Sequence, residues 1–153
     1  MRALIQRVLH AKVEIDGQIV GEIGQGLCIF LCVIEGDTSA EAEQMAAKCA
    51  KMRIFEDENG KMNRSVLDVG GGALAVSQFT LCADCRKGNR PSFTGSAAPE
   101  SADALYQHFA QCLRQQGVPT EQGVFAADMQ VHIQNDGPVT IWLDSEIFKQ
   151  SRR

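Results

Sequence analysis

Met129, Val131 and Ile133 alternate with Gln130, His132 and Gln134, the period-2 pattern of a strand with one face buried. Val139, Thr140, Ile141, Trp142 and Leu143 follow as a β-branched and aromatic run. The polar segment between them, Asn135-Asp136-Gly137-Pro138, predicts a hairpin turn, for which Asp136-Gly137 is a favoured pair. Pro138 adds a fixed φ, removes a ladder donor and admits a cis peptide. A second hairpin is predicted at Asp16-Gly17, between Val13-Glu14-Ile15 and Gln18-Ile19-Val20.

The remaining pattern is of mixed type. Residues 1–7 read as a first strand, and residues 26–34 form a continuous apolar run suited to a strand buried on both faces. Thr38-Ser39-Ala40-Glu41 has the spacing of a capping box. It opens a helix that places Met45, Ala46, Cys49 and Met52 on one face. Arg53-Ile54-Phe55 then leads to a turn at Asn59-Gly60. Residues 73–81, after Gly70-Gly71-Gly72, read as a further strand, on which Gln78 and Thr80 share one face. A second helix is expected over 101–116 with Leu105, Phe109, Cys112 and Leu113 inward, stopped by Gly117 and Pro119. Two helices and several strands give a mixed α/β architecture in a single domain, residues 1–153. The connection 83–100 is long enough to serve as a lid or a contact loop.

At 153 residues the chain can bury a true core, and 44% hydrophobic with 22% charged residues is ordinary for a soluble protein. No apolar run is long enough for a membrane span. Charge interrupts the first residues too early for a secretory signal, so a cytoplasmic location is expected. In that setting the six cysteines are expected to be reduced. Cys82-Ala83-Asp84-Cys85 has redox or zinc-knuckle spacing, which motivates a thiol or zinc protein as one reading. A structural zinc needs four ligands, and His10, His108 and His132 are isolated, so neither metal nor cofactor is expected. A net charge of −4 argues against indiscriminate nucleic-acid binding. Basic residues do cluster in Arg86-Lys87-Gly88-Asn89-Arg90 and in Lys149-Gln150-Ser151-Arg152-Arg153. Those clusters motivate a non-catalytic RNA-binding module as another reading, beside a plain solvated surface.

Catalytic signatures are sparse. There is no Gly-x-Ser-x-Gly elbow and no His-Glu-x-x-His. Thr80 is either a nucleophile whose base is not visible or a strand residue, and Gln78 is the better candidate for holding a substrate through its amide. Yet Ser77-Gln78-Phe79-Thr80-Leu81 and Asn135-Asp136-Gly137-Pro138-Val139-Thr140 together resemble the two signature motifs of the D-aminoacyl-tRNA deacylase family. The resemblance extends over residues 1–143 in order and spacing.

That resemblance implies layered, largely antiparallel β-sheets packed with two main helices. It also implies hydrolysis of the ester of D-aminoacyl-tRNA, and of glycyl-tRNA mischarged on tRNA-Ala. The protein's catalytic share would fall to Ser77, Gln78, Phe79 and Thr80, while the 2′-hydroxyl of the terminal adenosine helps to activate water. Gly137 and Pro138, joined by a cis peptide, would enter the partner subunit's site in a homodimer and reject L-aminoacyl groups. Arg7 would fix their orientation, its five donors suiting backbone carbonyls. Phe125 and Met129 would line the pocket near the adenosine. From the residues alone, Arg7 could equally end a strand at the surface, and Phe125 and Met129 could be core.

Overall fold

The computed structural model describes residues 1–150. The last part of the basic C-terminal cluster, residues 151–153, lies outside them. In chain order the elements are β1 (Arg2–Ile15), β2 (Gln18–Ile23), β3 (Gly26–Cys32), α1 (Ser39–Lys51), β4 (Phe55–Glu56), β5 (Met62–Arg64), β6 (Gly72–Ser77), α2 (Pro99–Gln115), β7 (Thr120–Gln122) and β8 (Gln130–Asp144). A 3-10 turn, Phe79–Cys82, follows β6, and another, Ser145–Lys149, follows β8. The mixed α/β class expected from the sequence is the one found.

β1 organises the main sheet. One of its edges pairs antiparallel with β8 along nearly its whole length. The other edge is shared, its first half pairing with β3 and its second half with β2, both antiparallel. β6 and β7 extend the sheet beyond β3 in parallel. Asp16 and Gly17 both take positive φ, 50° and 78°. That is the mirror-image turn whose twist matches its flanking strands, as the Asp-Gly pair predicts.

The two helices cover one face. Ala42, Met45, Ala46 and Cys49 of α1 and Tyr106, Phe109 and Leu113 of α2 pack on Ala3, Ile5, Ile29, Ala73 and Ala75. The opposite face carries a smaller cluster of Val8, Ala11, Val13, Ile23, Cys28, Leu74 and Val76. α2 begins at Pro99 rather than 101, because Pro fits the first helical position. Its inward side turns on Tyr106, whose hydroxyl donates to the Ala75 carbonyl, with Leu105 only half-buried.

The capping box is formed as expected. Thr38 Oγ1 accepts from the Ala40 N–H at 3.3 Å, and the Thr38 N–H donates to Glu41 Oε2 at 2.7 Å. Hydrogen bonds from the Thr38 side chain and then its backbone hold the Glu41 carboxyl down to about 2. Thr38→Ala should cost about 1 kcal/mol in a urea melt at neutral pH. Glu41 has a folded pKa below its unfolded one. Its stabilising share is therefore complete above about pH 4.5 and disappears as pH falls toward about 2. A Thr38→Ala penalty that stays the same between pH 7 and pH 2.5 would count against the box.

Two expectations change. The segment 135–138 is not a hairpin turn: β8 is one strand, and both of its halves pair with β1 in the same direction. Residues 136–139 are extruded as a bulge where Val8 pairs Asn135 and Gln6 pairs Thr140. The Gly-Pro pair suits a bulge, since Pro138 has no N–H to give the ladder and Gly137 sits at φ 124°. The Gly137–Pro138 peptide is cis.

The second change is at Ser77. β6 stops there, because its partner β3 stops at Cys32, and the last inter-strand bond is from the Gln78 N–H to the Leu31 carbonyl at 2.8 Å. The chain then curls into the 3-10 turn, so strand alternation does not relate Gln78 to Thr80.

Candidate active site

The end of β6 opens onto a cavity of about 820 Å³. Ser77, Gln78 and Phe79 form one wall, and Phe125 and Met129, from the connection between β7 and β8, form another. The third wall comes from the long connection before α2, through Phe93, Ser96 and Ala97. That connection is tied down near its end: Glu35 N–H donates to the Gly95 carbonyl and Ala97 N–H to the Val33 carbonyl, each at 3.0 Å. Earlier in it, Asp84 and Ser92 exchange backbone bonds of 2.7 and 2.9 Å. Phe93 meets Phe79 edge-on, with ring centroids 5.1 Å apart, at the mouth.

Phe125 and Met129 stand at the boundary between core and cavity. Each is half-buried and packed against the core, and each also faces the cavity. Phe125 leans on Tyr106 at 6.4 Å between centroids. The Met129 sulfur lies over Gly123, where a Cβ would come within 2.7 Å of it.

Thr80 is exposed and does not line the cavity; its hydroxyl accepts from the Gln78 amide. Curling after Ser77 has a chemical consequence. Phe79 and Thr80 begin a helical turn, so their N–H groups have no intrahelical acceptor. Among the lining residues Asp128 is the only ionisable one, and there is no His or Cys. The site therefore offers amides, hydroxyls and apolar walls. It can position and polarise an ester, but it does not bring a nucleophile together with a base.

Gly137, Pro138 and Arg7 lie elsewhere. None of them lines this cavity, and Gly137 and Pro138 stand on the bulge of β8, where Pro138 is exposed. Arg7 is buried, not a surface strand end: it is 5% exposed. Its Nη1 donates to the Ile54 carbonyl at 2.7 Å, and its Nε to the Asp136 carbonyl at 3.3 Å, with Asp136 Oδ2 at 3.2 Å. The guanidinium thus ties the bulge to the segment before β4. Asn135 and Ile54 complete this cluster. The sequence signal for Asn135 is its place ahead of Gly-Pro; Ile54 acts through its carbonyl and leaves none.

The thiols correct another expectation. Cys32 and Cys82 are paired as a disulfide, which joins the 3-10 turn to β3. The absence of a secretory pattern argues for reduced thiols, but sequence spacing cannot register two residues that the β3–β6 neighbourhood brings together. Cys82 is thereby separated from Cys85, which stands exposed. Burial pushes the Cys28 and Cys49 thiols up to about 12, so they are inert. Among the described residues, no three His, Cys, Asp or Glu are grouped to hold a metal ion. In the basic loop, Arg86 turns back on Asp84 at 2.7 Å, and its hydrogen bonds hold that carboxyl down to about 2. Part of the positive charge read from the sequence is neutralised locally. Among the described residues, no helix is long and apolar enough to cross a membrane.

Comparison with known proteins gives a consistent result. The family model described as D-Tyr-tRNA(Tyr) deacylase matches residues 4–144. A D-aminoacyl-tRNA deacylase of Jannaschia sp. (strain CCS1) is 61% identical over 145 residues, covering 95% of this chain and 99% of that protein. One from Ruegeria pomeroyi is 60% identical over 144 residues, covering 94% and 99%. A solved structure titled c-Myc DNA Unwinding Element Binding Protein superposes with a TM-score of 0.88 at 43% identity, covering 94% and 98%. A probable eukaryotic D-amino acid tRNA deacylase shares the fold, with a TM-score of 0.77 at 17% identity over 93% and 97%.

Proposed function

The chain belongs to the D-Tyr-tRNA(Tyr) deacylase family and is a hydrolase of D-aminoacyl-tRNA, and from that premise we propose how its site handles the ester. One observation carries the proposal: the cavity at the end of β6 is walled by amides, hydroxyls and aromatic rings, with no His or Cys among its lining residues. A site of this kind accelerates hydrolysis by orientation and by fixed dipoles. The activating group comes from the RNA itself, the 2′-hydroxyl of the terminal adenosine.

In this reading the peptide groups at Ser77, Gln78 and Phe79 receive the ester, and the Phe79 N–H, which opens the 3-10 turn, faces its developing negative charge. Thr80 orients Gln78 through their mutual hydrogen bond and is not the nucleophile. Phe125 and Met129 floor the place of the adenosine. Gly137 and Pro138 act in trans, entering the cavity of a second copy in a homodimer. Their absence from the lining of their own cavity, and their place on the bulge, support this.

A rigid backbone beside the substrate's α-carbon tolerates a hydrogen but not a side chain. L-aminoacyl groups are refused by collision, and D-aminoacyl groups pass whatever their side chain. Glycyl-tRNA, including glycine mischarged on tRNA-Ala, passes as well. The enzyme works in the cytoplasm, with its RNA substrate.

The test uses one tRNA charged with D-tyrosine or L-tyrosine. The D-ester should be lost at least about a hundredfold faster, or ~2.7 kcal/mol of discrimination. Replacing the terminal adenosine by its 2′-deoxy form should slow loss of the D-ester. Equal rates for the two esters would defeat the filter, and an unimpaired deoxy substrate would defeat the RNA's part in catalysis.

A further inference from the structure

The bulge in β8 creates a hydrogen-bonding deficit that side chains must meet. β8 places residues 136–139 between the partner of Val8 and the partner of Gln6, while β1 has only Arg7 there. Pro138 brings no N–H. The Arg7 carbonyl on β1 and the Val139 carbonyl on β8 therefore flank a gap in the ladder, where partly buried carbonyls lack a backbone donor. The Asn135 side chain fills it. Its Nδ2 donates to the Arg7 carbonyl, 128 residues away in sequence, and to the Val139 carbonyl, both at 3.0 Å.

We infer that Asn135 is a positioning residue for the Gly137–Pro138 projection, tying its two ends to each other and to β1; this rests on the filter reading above. The chemistry is specific to an amide. Its NH2 carries two hydrogens for two acceptors, an ionised aspartate carries none, and a serine hydroxyl carries one. Arg7 and Asn135 then form a closed clamp. The Arg7 guanidinium grips the outside of the bulge at Asp136, and the Asn135 amide grips the backbone of Arg7 itself. The bulge is held from both sides, and residue 7 serves both holds. Without the amide, the projection keeps one anchor and can swing, so its carbonyls no longer occupy one place beside the α-carbon.

A residue that only supported the fold would, when replaced, lower stability and both ester activities together. A positioning residue shifts the ratio between them. Asn135→Asp, nearly identical in shape, should lower the D-over-L ratio of kcat/KM at least about tenfold, mainly by raising the L-ester rate. The assay is run well below the variant's melting temperature. Asn135→Ser, retaining one donor, should fall between the two and serves if the aspartate variant does not fold. A second readout needs no substrate. Hydrogen exchange at the amides of Asn135 and Thr140, the paired residues that flank the bulge, should be faster in the variants, with β3 and β6 unchanged. A folded variant with an unchanged ratio overturns the inference, and so does unchanged exchange at both flanks of the bulge. If the wild type fails to discriminate the two esters, the filter reading falls, and the exchange data alone decide whether Asn135 holds the bulge.

Discussion

Substituting alanine for Arg7 is expected to cost about 3–5 kcal/mol of folding stability. In whatever stays folded, most of the preference for D-esters should be lost. The interactions differ in weight. Asp136 is 36% exposed, so its carboxylate recovers water when the guanidinium goes, and the ion pair itself contributes little. The Ile54 carbonyl is different: it is buried and bonded to Nη1 at 2.7 Å, and left alone it costs about 1–3 kcal/mol. The void left by a buried arginine stem adds the rest. The functional loss follows from geometry, since the guanidinium is the link between the bulge and the segment before β4. Arg7→Lys separates the two effects. It keeps the charge and most of the stem but has no planar fork to reach both carbonyls, so stability should recover further than selectivity. Urea unfolding and paired D- and L-ester assays on both variants are sufficient. A folded alanine variant that still refuses the L-ester would remove Arg7 from the filter.

Gly26→Ala should be about as damaging, through backbone contacts alone. Gly26 pairs with Gly72 where β3 and β6 begin. An added Cβ would press into the Gly72 carbonyl oxygen, with the Gly72 C and N each only 2.8 Å away. Two paired backbones cannot yield as a side chain would, so β6 must move off β3, and about 3 kcal/mol, the upper end of the overpacking range, is expected. The displaced strand is the one that ends at Ser77, so activity should fall with stability. Gly24→Ala is the control, because a Cβ there meets nothing within 4 Å. If Gly26→Ala unfolds at the wild-type denaturant concentration, the β3–β6 register described above is wrong.

Local chemistry was legible in the sequence, and non-local pairing was not. The Asp16-Gly17 turn and the Thr38–Glu41 box are decided within a few residues, and both formed as read. The Asn135–Pro138 segment has the same local signals as a hairpin. It becomes a bulge because both flanking runs find β1, which no window around residue 137 contains. The same reason hides the end of β6: Ser77–Leu81 reads as strand throughout, but its partner β3 ends first. Cys32 and Cys82 are 50 residues apart and meet only once that pairing exists. Of the site, Ser77, Gln78, Phe79, Phe125 and Met129 were named from the sequence and surround one cavity. Phe93 and Ala97 join them through ties between the long connection and residues 33–35 that have no local signature. Asn135 was read only as part of a turn, and its second role depends on the Arg7 carbonyl.

The pairing of β1 with β8 also sets an order of events for a newly made chain. β1 is synthesised well before β8, so the edge that β8 covers stays open until Gln130–Asp144 has been translated. β2 and β3 can close on its other edge early, because they follow it directly in the chain. Long-range closure of this sort is slow relative to local structure. During synthesis the open edge of β1 is a row of unpaired backbone groups, the feature that invites association with other chains. The segment bearing Gly137 and Pro138 is also the one that caps that edge. Nascent chains should therefore close the β1 edge and set the Gly137–Pro138 bulge in the same late step.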